Sequence, residues 1–174
     1  MHAIHPAAAA TTRRRMIAGM AALAARSAIA PAQMKEKPAN PAHAALTSIH
    51  YDIDFEATPQ RIYQTLLSAK QFAEFTGLPA DIDPRPGGAF SIFGGLIVGR
   101  NVELVENRRI VQAWRPTHWE AGIYSIVHFE LKLRGSGASL AFDHTGFPAG
   151  DYDHLDEGWK GHYWEPMKKY FAST

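Results

Sequence analysis

From Ser48 to Phe55 the apolar side chains Ile49, Tyr51, Ile53 and Phe55 alternate with polar ones, the pattern of a strand with one buried face. Thr58-Pro59 then supplies a helix cap and a first helical residue. Behind them Ile62, Tyr63, Leu66 and Leu67 recur at helical spacing, and Ala69 to Phe75 predicts a second short helix ending before Gly77. From Gly87-Gly88 onward the period returns to two. Phe90 and Ile92, Val102 and Leu104, the trio Ile110, Gln112 and Trp114, the run Val127, Phe129, Leu131 and Leu133, and the pair Leu140 and Phe142 mark successive strands. The links between them, such as Glu106-Asn107-Arg108 and Gly135-Ser136-Gly137, are of hairpin length, so the sheet is predicted to be antiparallel. In the last segment, Asp151 to Phe171, residues Leu155, Trp159, Tyr163, Met167 and Tyr170 fall on one face of a long helix, which Pro166 should bend. The sum is an α+β domain whose sheet buries its apolar face against the terminal helix.

Charge divides the chain in two. Residues 1–46 hold six of the 18 Lys and Arg and one of the 17 Asp and Glu, a net +5; residues 47–174 hold the other 12 and 16, a net −4. The first part has 17 alanines and no aromatic residue, too little to build a core, whereas all 19 aromatics follow His50. A mildly acidic domain repels phosphates, which argues against nucleic acid as a partner. With no cysteine, disulfides, thiolate nucleophiles and Cys-based metal sites are excluded.

Thr12-Arg13-Arg14-Arg15-Met16-Ile17 precedes a mildly apolar stretch, Met16 to Ala25, that is too short to span a bilayer. Ala30-Pro31-Ala32 follows as a small-x-small triplet suited to cleavage before Gln33. Residues 1–32 resemble a twin-arginine export signal, which would engage the export machinery and place the protein in the periplasm or outside the cell. If the leader is not a signal, the protein stays in the cytoplasm. Residues 33–46, with Pro38 and Pro41, are expected to be a linker, and 47–174 the folded domain.

Residues two apart on a strand share a face, so His144 is expected to point inward with Leu140 and Phe142, and Asp143 outward. That parity separates the two and argues against an Asp143-His144 dyad. His144 could bond a ligand's polar group or relay a proton, or simply shape the strand end before Gly146. Gln112 shares a side with Trp114 and needs partners if buried. Phe90, Trp114, Phe129, Trp159 and Tyr163 are expected between sheet and helix, where rings either fill a core or wall a pocket. Trp119, in the loop Pro116 to Gly122, is expected to be exposed unless it folds over the pocket mouth as a lid. His128 reads as a surface histidine. The carboxylates of Asp151, Asp153, Asp156 and Glu157 lack calcium-loop spacing and suit a helix N-terminus. No nucleophile elbow and no phosphate cradle are present, so neither a catalytic residue, a metal nor a cofactor is expected.

In order along the chain, Gly87-Gly88-Ala89-Phe90-Ser91-Ile92, Gly99, Arg109-Ile110-Val111 with Trp114-Arg115, Leu140 to Gly146, and Gly158-Trp159 with Tyr163-Trp164-Glu165-Pro166-Met167 resemble the START-like (SRPBCC) superfamily. They are most similar to its AHSA-type members, the C-terminal domain of the activator of heat-shock protein 90 ATPase, over about Thr47 to Phe171. The resemblance implies a helix-grip (Bet v-like) fold, a curved antiparallel sheet around a C-terminal helix, with an apolar cavity between them. It implies a small hydrophobic ligand, lipid or aromatic; the residues that parity and position put in its reach are His144, Gln112, Trp114, Trp119, Phe90, Phe129, Trp159 and Tyr163. Two alternatives come with it: an aromatase/cyclase-like enzyme using the same pocket, and a chaperone-interacting module. A chaperone partner is disfavoured, because nothing in residues 1–46 replaces the extra N-terminal domain of the eukaryotic activators.

Overall fold

A computed structural model of the chain describes residues 40–173. The expected export signal, 1–32, and the first part of the linker, 33–39, lie outside the described residues. The remainder of that linker is fastened down. Asn40 caps a 3-10 turn, Pro41–His43, its backbone N–H donates to Asp153 Oδ2 at 2.7 Å, and His43 Nδ1 lies 2.5 Å from Asp153 Oδ1.

The strands β1 (Ser48–Phe55), β2 (Asp81–Ile82), β3 (Ala89–Ile92), β4 (Ile97–Val105), β5 (Arg109–Pro116), β6 (Ser125–Arg134) and β7 (Gly137–Thr145) form one curved antiparallel sheet in the order β1-β7-β6-β5-β4-β3-β2. Helices α1 (Pro59–Leu67) and α2 (Ala69–Thr76) follow β1, and the C-terminal helix runs as α3 (Tyr152–Gly158), a π turn (Trp159–Trp164) and α4 (Glu165–Ala172). This is the helix-grip arrangement. Local chemistry accounts for the short helices: Thr58 Oγ1 accepts from Arg61 N–H with Pro59 behind the cap, Ser68 caps α2, and Gly77 ends it with a left-handed φ of 72° that glycine adopts without strain.

Three sequence expectations are corrected. Of Val102 and Leu104, expected on the buried face of β4, Leu104 packs against the core but Val102 does not, because the pairing with β5 slips between Asn101 and Glu103. Such a bulge inserts one extra residue, so Val102 is 55% exposed and Gly99 and Asn101 face inward instead. Leu133, expected on the buried face of β6, lies in the hairpin end that pairs with β7 beyond the reach of β5, and is exposed. The C-terminal helix is not one regular α-helix. A π turn bonds five residues back rather than four, so positions four and five beyond Trp159 both face the sheet, and Tyr163 and Trp164 are buried together. Phe171 rather than Tyr170 then completes the buried stripe. Pro166, which has no N–H to offer the His162 carbonyl, follows directly on the widened turn.

The core is a continuous mass of rings and aliphatics between sheet and helix. Trp159 is its centre: its ring centroid lies 4.3 Å from Phe142, 4.4 Å from Tyr163, 4.7 Å from Trp114 and 5.4 Å from Trp164. Aromatic pairs at such spacings contribute ~0.5–1.5 kcal/mol each beyond the area they bury.

Candidate functional site

Two chains of hydrogen bonds run through this aromatic interior, and each begins at a tryptophan. In the first, Trp159 Nε1–H donates to His144 Nδ1 at 3.0 Å. An indole can only donate, so the neutral imidazole carries its proton on Nε2, which donates to Ser125 Oγ at 2.7 Å. Ser125 Oγ in turn donates to the Trp114 carbonyl at 3.3 Å. His144 is fully buried, and burial pushes its pKa down to about 3, since no counter-charge reaches it. Both ring nitrogens are engaged, so His144 positions Trp159 and hence the π turn. Accepting a proton from a guest would first require Trp159 to leave Nδ1, and donating one would require Ser125 to leave Nε2.

In the second chain, Trp114 Nε1–H donates to Gln112 Oε1 at 3.0 Å, Gln112 Nε2 donates to Asn101 Oδ1 at 2.9 Å, and Asn101 Nδ2 donates to the Asp83 carbonyl at 2.8 Å. The donor-only indole at one end and the acceptor-only carbonyl at the other fix both amide orientations. Gln112 retains one N–H and one lone pair beyond these bonds.

Between the second chain and the helix lies a small interior cavity of about 10 Å³, walled by Leu66, Phe72, Phe90 and Phe129, with Gln112 and Tyr163 as its polar members. Its size is that of a single water-sized group. Tyr163 is 3% exposed, burial raises its pKa well above the usual phenol value, and its hydroxyl, which makes no hydrogen bond to the described residues, keeps contact with open space, unlike the sealed Trp164 Nε1. A larger groove of about 510 Å³ between α2 and α4 is open to solvent, with Phe75 and Tyr170 in its wall. It lies on the outer side of the helix, away from both chains.

The cavity owes its shape to tight local geometry. A Cβ on Gly99 would stand 2.1 Å from the Ala113 carbonyl oxygen and 2.3 Å from Phe90 Cζ, so only glycine lets Phe90 lie flat against β4. Phe93, in the turn between β3 and β4, is held at φ 54°, a left-handed conformation costing a bulky residue on the order of 1–3 kcal/mol. It is kept there by Phe72 and Tyr163, with ring centroids at 5.3 and 5.4 Å. Trp164 Nε1 is buried without a hydrogen-bond partner, a second cost borne in the π turn.

Of the sequence-derived residues, Phe90, Gln112, Phe129 and Tyr163 line the cavity, while Trp114, His144 and Trp159 stand behind it and organise the two chains. Trp119, expected to be exposed or to fold over the pocket mouth as a lid, is buried away from the cavity lining; its indole N–H donates to the Asp151 carboxylate and ties the β5–β6 loop to the start of α3. Asp151 therefore serves that bond rather than capping α3 with its side chain. Asn101 and Ser125 were not read from the sequence. Asn101 was hidden by the bulge, whereas the inward parity of Ser125, two residues before Val127, was a signal that pointed to it. Asp143 faces out and binds His50 Nδ1 at 2.7 Å, which raises the His50 pKa. His128 Nε2 lies 3.7 Å from a Glu130 carboxylate oxygen, too long for a hydrogen bond. Among the described residues no group of three His, Asp or Glu is gathered closely enough to hold a metal ion, and no helix is long and apolar enough to cross a membrane.

Known proteins resemble this chain in sequence and in fold. A protein of Schizosaccharomyces pombe described as uncharacterised is 33% identical over 118 residues, covering 68% of this chain and 35% of that protein. The human activator of 90 kDa heat shock protein ATPase homolog 1 is 26% identical over 118 residues, again 68% of this chain and 35% of the relative. The chain thus spans about a third of the length of the curated relatives it matches. Among solved structures, an HSP90 activator from Plasmodium falciparum superposes with a TM-score of 0.68 at 22% identity, covering 71% of this chain and 95% of that one. The Aha1 dimer from Colwellia psychrerythraea gives 0.62 at 16%, covering 72% and 96%. At these identities the likeness is one of fold. The family described as Activator of Hsp90 ATPase homolog 1-like protein matches residues 56–172, two-thirds of the sequence, and the chain belongs to it.

Proposed function

We propose that this domain binds a small, largely apolar molecule between sheet and C-terminal helix, entering as the Trp159–Trp164 turn yields. One observation carries the reading: a ring-walled cavity with two buried polar groups lies against the π turn, where the covering helix departs from regular hydrogen bonding. Added Cβ atoms on Gly158 and Gly161 would meet open space, Pro166 removes one backbone bond, and the turn holds the unpartnered Trp164 N–H. The strained Phe93 backbone beside Tyr163 fits the same reading, since such strain gathers where a structure is built to rearrange.

At rest the interior is filled by rings, so a guest must displace them. Burying ~200 Å² of apolar ligand surface is worth about 5 kcal/mol of gross transfer energy. Ordering and opening costs leave an affinity that is micromolar at best. Titrating protein carrying ¹⁵N-labelled tryptophan with a panel of uncharged single-ring aromatics and short-chain alcohols should move the Trp114 and Trp159 indole resonances. Unmoved resonances at millimolar ligand, together with an unchanged melting temperature, would refute the reading.

A second reading, contact with an Hsp90-type chaperone, is favoured by the names of the relatives. Its test is whether the purified protein raises the chaperone's ATPase rate; an unchanged rate retires it. The turnover alternative with His144 as acid or base is weakened by the engagement of both its ring nitrogens. For residues 1–32 the export proposal stands on Arg13-Arg14-Arg15 and the apolar stretch after them. Mass spectrometry of the protein from its host should find the mature terminus near Gln33; an intact Met1 in the cytosolic fraction would oppose it.

A further inference from the structure

The polar groups at the cavity do not have equal freedom, and that inequality specifies the guest. Gln112 is locked by Trp114 and Asn101, leaving one N–H and one lone pair. Tyr163 has a whole hydroxyl to offer, able to donate and to accept, and it has no partner among the described residues. Both side chains are more than nine-tenths buried, and every other side chain lining the cavity is apolar. The Tyr163 hydroxyl is not among the sealed, unpartnered atoms, so it has space to bond, and one oxygen placed between the two groups would answer both. The cavity has room for about one such atom.

We infer that Gln112 and Tyr163 form a single-oxygen anchor, and that the guest class is a small ring compound bearing one hydroxyl or carbonyl, such as a phenol. This rests on the binding reading above, because the ring itself needs the space that opening of the Trp159–Trp164 turn provides. In the closed domain a single water satisfies the same two groups. In the loaded domain the guest's oxygen accepts from Gln112 Nε2–H and exchanges a hydrogen bond with Tyr163. Charged headgroups are rejected, since no cation or carboxylate lines the cavity to compensate for their desolvation.

Phenol and toluene make the test, because they match in shape and differ in one hydroxyl against one methyl. Both are titrated into the full-length protein and into the Tyr163→Phe and Gln112→Leu variants, with the tryptophan indole resonances as readout. A merely apolar interior prefers toluene, the less hydrated of the two. The anchor predicts the reverse: phenol at least about fivefold tighter in the natural protein, toluene tighter in Tyr163→Phe, and toluene affinity within about twofold between the two proteins. Tyr163→Phe keeps the ring and so keeps the packing; a melting curve confirms that it folds. Gln112→Leu should lower phenol affinity in the same direction. Toluene binding as tightly as phenol, or a preference indifferent to Tyr163→Phe, overturns the anchor and leaves the apolar-guest reading standing. Failure of both rings to bind at millimolar concentration overturns the two together.

Discussion

The interior has two halves with opposite characters. Under β6, β7 and β1, the Trp159–His144–Ser125 chain ends on a backbone carbonyl, and rings pack against it on every side. Under β3, β4 and β5, the Trp114–Gln112–Asn101 chain passes a cavity, a bulge at Val102, and a phenylalanine in a left-handed conformation. Trp114 belongs to both, its N–H opening the second chain and its carbonyl closing the first. One half fixes the helix on the sheet while the other keeps groups in reserve, so loosening one should be felt in the other through a single tryptophan.

The largest blow to that division is Trp159→Ala, which empties the closed half. Removing a fully enclosed Trp costs about 3–5 kcal/mol, read by urea unfolding, and should shift the Trp114 indole resonance as well. A loss below about 1 kcal/mol would show that the closed half is not where stability resides.

Next in size is the pH dependence set by His144. Its folded pKa, about 3, lies below the unfolded value near 6.5, so between those values the unfolded chain binds the proton and the folded one does not. Stability therefore falls as pH drops through that window, by on the order of 1.4 kcal/mol per pH unit from this residue alone. The slope should flatten in His144→Gln, with the difference measured between about pH 6 and 4 so that carboxylate titration is shared by both proteins. Equal slopes would refute the buried neutral imidazole.

In the reserve half Gln112→Leu leaves the Trp114 N–H and the Asn101 amide oxygen without partners, at a cost of about 1–3 kcal/mol. The smallest effect belongs to Tyr163→Phe. Its hydroxyl has no protein partner among the described residues, so thermal unfolding should change by less than about 1 kcal/mol. A loss as large as that of Gln112→Leu would make the Tyr163 hydroxyl a structural bond rather than a held-back one.

Periodicity alone determined much of this protein. The alternation in Ile110, Gln112 and Trp114 and in Leu140, Phe142 and His144 put each of these residues on the inner face, because strand geometry leaves a side chain only two directions. Thr58-Pro59 and Gly77 marked helix ends through local backbone chemistry. What the tertiary structure decided is where those local rules were overridden. The bulge at Val102 is a property of pairing with β5, so the strand's own sequence still reads as regular alternation. The π turn trades regular hydrogen bonding for the burial of one more indole, Trp164, against Phe142, a gain that exists only once sheet and helix meet. Trp119 likewise reads as exposed until Asp151, thirty-two residues away, arrives to accept its N–H. Sequence fixes which face a residue shows its neighbours along the chain; only packing decides which distant partner answers it, because that free energy is gained across elements and not within them.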